Sequence, residues 1–149
     1  MRSVLGAGVP VSHVDSHRHL HKFAPVRTAL ASVLPRLGIR RVRSVQDLYV
    51  SRPLTSPTYW LGRRWAASIR RAFETTEHFF MPSKMASPWS EAAAGVEARL
   101  EGGSLEIGVH PGFVEEWRDR DRKSVVELVR TVGGRVQLVD WRSLDVGGR

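Results

Sequence analysis

Polar and apolar positions change period several times along the chain, and the changes divide it into alternating extended and helical segments. Over 13–21, ionisable residues fall at every second position: His13, Asp15, His17, His19 and His21, with Val14, Ser16, Arg18 and Leu20 between them. Such alternation predicts a strand that turns all five side chains to one face. Val26, Leu30, Val33, Leu34 and Leu37 then recur at helical spacing behind Pro25, a residue suited to a first helical turn, until Gly38 closes the segment. Pro35 is placed to kink or end that helix a turn early. Residues 39–45 predict a short strand, the Pro, Ser and Thr content of 51–57 a loop, and Leu61, Trp65, Ile69 and Phe73 a helix over 60–73.

The second half repeats the alternation. Residues 74–81 predict a strand with Thr76, His78 and Phe80 on one face and Thr75, Glu77 and Phe79 on the other. Ser87-Pro88 caps a helix through EAAAGVEARLE that stops at Gly102-Gly103. Leu105, Ile107 and Val109 next alternate with Glu106, Gly108 and His110 in a strand that ends at Pro111-Gly112. After a charged loop, Ser124 and Glu127 stand at capping-box spacing before a helix that ends at Gly133-Gly134, and 136–141 forms a last strand. Strands alternating with helices predict an α/β domain with a parallel sheet and right-handed crossovers, functional groups gathering at the strands' C-terminal ends.

Composition narrows the picture. A chain of 149 residues, 42% of them hydrophobic, suits one compact domain over 1–149. No apolar run is long enough to cross a bilayer and the first residues do not form a secretory signal, so a cytoplasmic protein without membrane contact is expected. The absence of cysteine removes disulfides and thiolate ligands and leaves imidazole and carboxylate, donors for magnesium, manganese or zinc. A net charge of +8 raises nucleic acid as a partner. The arginines are scattered in pairs, Arg40-Arg41, Arg63-Arg64 and Arg70-Arg71, and as solvated helix faces they explain most of that charge without it. Glycine pairs follow helices rather than joining a strand to a helix, and no serine elbow is present, which argues against kinase, dehydrogenase and serine hydrolase chemistry.

The histidine run sits where a strand hands over to a helix, and its residue types suit a metal site or acid/base chemistry, with an incidental histidine-rich surface as the alternative. HVDSHRHLH, TTEHFF and LEIGVHPG followed by Glu127-Leu128 together resemble the C-terminal part of the YdjC-like carbohydrate deacetylases, also called the ChbG/HpnK family, from about His13 to Leu144. The resemblance implies a partial (β/α) barrel of about five parallel strands with intervening helices. It also implies a metal-dependent hydrolase that removes acetyl groups from N-acetylated sugars, using a divalent ion, magnesium first and zinc second. It further implies His17 as metal ligand, His110 as general acid, Asp15 and His19 as supports of the site, and Arg43 as a substrate contact. The family's paired Asp-Asp motif and its Gly-x-His strand have no counterpart here. A chain truncated at its N-terminus and inactive alone is therefore expected, the full-length protein being the enzyme, or else a homo-oligomer or a complementing chain supplying the rest. The alternative is a degenerate, non-catalytic binding module, for an acidic polymer among other partners.

Overall fold

A computed structural model of the chain describes residues 6–48, 55–81, 103–110, 112 and 114–144. Its helices are α1 (Ala24–Val33), α2 (Pro57–Ala72) and α3 (Glu116–Val132), and its strands β1 (His78–Phe80) and β2 (Leu105–Ile107). The strands pair in parallel, with His78 opposite Leu105, Phe79 opposite Glu106 and Phe80 opposite Ile107. Two isolated parallel bridges, Val14 with Val42 and Arg41 with Glu74, add the expected neighbours in the expected order. The fold is thus α/β with parallel pairing, but the five-strand barrel is not formed among the described residues, whose one sheet has two strands.

Three sequence expectations need correction. The 13–21 run is extended only at its start: Val14 bridges Val42, and His17–Lys22 then coils as 3-10 helix with Arg18 and His19 at left-handed φ of 53° and 54°. Residues 39–45 contribute bridges rather than a continuous strand, and residues 137–140 carry no ladder before a turn at Trp141. The charged loop before Ser124 is helical, since α3 already begins at Glu116. Glu116 and Asp119 suit the positive end of its dipole, and Asp119 pairs with Arg122 and Lys123 one turn on at 2.7 and 2.6 Å. The helix expected over EAAAGVEARLE lies outside the described residues.

Other boundaries follow their local signals. Proline at the start of α1 and of α2 fills a position whose N–H has no helical partner. Pro35 ends α1 at Val33 and opens a 3-10 turn, which Gly38 closes at a φ of 70°. The period-two alternation of β1 is realised: Phe80 packs with Leu48, Leu128 and Val132, bordered by Leu105, Ile107 and Val136, while Phe79 faces the other way. Leu34, Ile39 and Val42 form a second cluster, and Val45, Ala66 and Ile69 a third under α2. Buried Asp47 ties these parts together, accepting from the Phe79 N–H at 3.0 Å, from His78 Nδ1 at 3.1 Å and from Arg70 at 3.3 Å. Burial of this carboxylate is tolerated because both of its oxygens accept from these donors. Among the described residues, no helix is long and apolar enough to cross a membrane.

Candidate metal centre

The histidine turn is built around Ser16. Its carbonyl accepts the His19 N–H at 2.9 Å, and its hydroxyl accepts the His21 N–H at 3.0 Å and lies 2.7 Å from His21 Nδ1. Left-handed backbone at Arg18 and His19 folds the chain tightly enough to bring residues 15, 19 and 21 to one point. Asp15, His19 and His21 each offer a ligand atom there, all within 4.8 Å of one another. Asp15 Oδ1 lies 3.7 Å from His19 Nδ1 and 3.9 Å from His21 Nδ1. An ion bonded tetrahedrally at about 2.0–2.2 Å draws its donors to roughly 3.3–3.6 Å from one another, so the group is slightly wider than a loaded site and would close by a few tenths of an ångström on a single divalent ion. Its wall is Phe79, whose ring meets the His19 edge at a centroid distance of 5.3 Å and lies 5.5 Å below the Arg43 guanidinium.

His21 is fully buried, and its Nε2 has no hydrogen-bond partner. Burial pushes this imidazole below its ordinary pKa of 6.5, against the raising influence of Asp15 and of the Arg43 and Ser44 backbone, and so favours its neutral form. His13 is also lowered, by burial and then by the Arg43 charge; its ring stacks on Trp141 at 4.4 Å. Because the unfolded chain takes up protons at about pH 6.5 that the fold resists, stability is expected to be complete above that pH and to fall as pH drops below it. Urea midpoints measured at about pH 7.5 and about pH 5.5 check this: His21→Gln should narrow the difference and leave the part due to His13.

Arg43 reaches across this site from the segment after Val42. Its Nη1 donates to Asp15 Oδ2 at 2.7 Å, and its Nε and Nη2 lie 2.7 and 2.6 Å from Glu106 Oε1. Burial works against the guanidinium charge, but Glu106 and Asp15 outweigh it and hold it more firmly protonated than usual. Burial raises the pKa of Glu106, with Arg43 opposing. The Trp141 indole adds a third donor to Glu106 Oε1 at 3.3 Å, while Oε2 is buried without a partner.

The sequence-derived candidates therefore separate. Asp15 and His19 are brought together with His21, and Arg43 is fastened to Asp15; the group includes neither His17, which is exposed, nor His110. His110 follows β2 and is held by α3: Asp121 Oδ2 accepts its N–H at 3.1 Å and lies 3.5 Å from its Nδ1, with the Trp117 ring edge-on at 5.5 Å. Glu106 was legible as a carboxylate on the polar face of its strand, and His21 as one of five alternating groups. Trp141 gave no sign beyond its place in an apolar segment. A groove of about 910 Å³ between the ends of α1 and α2, lined by Leu34, Arg40, Arg70 and Glu77 among others, contains none of these groups.

The comparison with protein families agrees with the motifs. No curated protein matches the chain. The family model described as YdjC-like protein matches residues 1–142, nearly the whole sequence, and the chain therefore belongs to the YdjC-like family.

Proposed function

We propose that the chain supplies the histidine side of a metal-dependent deacetylase acting on N-acetylated carbohydrates, the activity to which the YdjC-like family is linked. The observation that carries this is the convergence of Asp15, His19 and His21 on one point beside a positively charged side chain. Two imidazoles and one carboxylate are a mixed nitrogen and oxygen donor set. It suits zinc or manganese at least as well as magnesium, which prefers oxygen ligands and carboxylates. A bound divalent ion would polarise the amide carbonyl and supply an activated water. Asp15 Oδ1, His19 and His21 would hold it, and the hydrophobic wall of Phe79 would keep bulk water from that side. His110, held through Nδ1 by Asp121, would present Nε2 to protonate the departing amine. The proton-accepting carboxylate, assigned in the family to the Asp-Asp motif, is proposed to come from a segment that carries that motif, on the same or on another polypeptide.

Acetate release from N-acetylated oligosaccharides, with manganese or zinc present, tests this. The chain alone is expected to be inactive. Added to a polypeptide bearing the Asp-Asp and Gly-x-His motifs, it should support turnover that His110→Ala reduces by about 100-fold or more. Metal-dependent release by these 149 residues alone would contradict the need for those motifs. Absence of both metal binding and turnover in the mixture would contradict the function.

A further inference from the structure

We propose that Arg43 is a positioning residue for a divalent ion held by Asp15, and that Glu106, fixed by Trp141, keeps Arg43 in that role. This rests on reading Asp15, His19 and His21 as a metal centre, and it departs from the expectation that Arg43 touches substrate.

The two oxygens of Asp15 have different surroundings. Oδ1 faces His19 and His21 and takes the Ser16 N–H at 2.7 Å, whereas Oδ2 is occupied by Arg43 at 2.7 Å. The Asp15 side chain is about one-third exposed, and the carboxylate of such a residue is free to rotate about its last torsion. The Arg43 contact selects the rotation that leaves a lone pair of Oδ1 between the imidazoles. Outer-shell groups of this kind orient ligands and commonly alter metal affinity 10–100-fold.

A guanidinium beside a metal ligand also repels the ion, so its presence needs an offset. Glu106 provides it: the side chain is only 9% exposed, and its Oε1 takes both remaining edges of the Arg43 fork. With Asp15 counted, the three groups carry one net negative charge, which favours a cation. Glu106 is in turn held by the Trp141 indole N–H, and the Trp141 ring by its stack on His13. Arg41 fastens the backbone behind Trp141, donating to the carbonyls of Trp141, Arg142 and Leu144. Residues near the end of the chain thereby support a site formed near its beginning.

Titration of the full chain with Mn²⁺ alone, free ion being read by electron paramagnetic resonance, tests the assignment in wild type, Arg43→Ala, Arg43→Lys and Glu106→Gln. Arg43→Ala is expected to weaken Mn²⁺ binding about 10-fold or more although it removes a positive charge, and Glu106→Gln to do likewise. Arg43→Lys keeps the charge but not the fork and should fall between Arg43→Ala and wild type. If Arg43→Ala does not fold, Arg43→Lys and Glu106→Gln decide, weaker binding supporting the assignment and unchanged binding overturning it. Equal or tighter binding by Arg43→Ala marks the guanidinium as a repelling bystander and overturns the proposal. A wild type that binds no Mn²⁺ overturns the metal centre itself and this inference with it, an outcome distinct from wild-type binding that the variants leave unchanged.

Discussion

Phe80→Ala is expected to destabilise the chain by about 3–5 kcal/mol. The Phe80 side chain is fully buried among Leu48, Leu128 and Val132, with Leu105, Ile107 and Val136 at the border of the same cluster. Truncation removes the transfer energy of the ring and leaves a cavity that six neighbours from four segments cannot close without moving α3 against β1 and β2. Against a total of roughly 5–15 kcal/mol for a domain, that loss removes a large share of the stability. Urea unfolding followed by circular dichroism checks it; a loss under about 1 kcal/mol would show that α3 does not pack on the sheet as described.

Asp15→Asn has the opposite profile, a small effect on the fold and a large one on the site. The amide keeps the shape and can still accept the Ser16 N–H, while the ion pair with Arg43 joins two partly exposed groups and is worth about 1 kcal/mol or less. A divalent ion, however, loses the one carboxylate of the Asp15, His19 and His21 group, and the net negative charge that Asp15, Arg43 and Glu106 carry together falls to zero. Affinity for Mn²⁺ or Zn²⁺ is expected to drop by roughly 100-fold, at or beyond the upper end of what outer-shell changes cost. Calorimetric titration of both proteins at matched pH measures the difference, and equal affinities would place the ion elsewhere.

The parts of the fold legible in the sequence were those where one local signal ruled. Pro25, Pro35 and Gly38 marked the helix and its stop, and the alternation through Phe79 and Phe80 assigned the two rings to opposite faces, one toward the site and one into the core. The histidine run was misread because its period-two pattern competes with side-chain hydrogen bonds that periodicity does not register. Ser16 captures the His21 N–H and pulls the chain out of extension. Three of the five groups, Asp15, His19 and His21, come together by a turn rather than by a shared strand face, and the group does not include His17, the ligand that the resemblance implies. The start of α3 was hidden by its charge. Asp121, Leu128 and Val132 do lie on one helical stripe, but the first of them is a fully buried carboxylate, which a search for apolar spacing passes over. The partnership of Glu106 and Trp141 depends on the packing of segments far apart in sequence, which no local pattern encodes.

A crystal structure of the full chain grown with manganese, with the ion located from its anomalous signal, bears most directly on the proposed centre. The expected result is one ion bonded to Asp15, His19 and His21 at about 2.0–2.3 Å, with Arg43 still on the second oxygen of Asp15. An ion bound at His17 or another surface histidine, with Asp15, His19 and His21 left vacant, would contradict it.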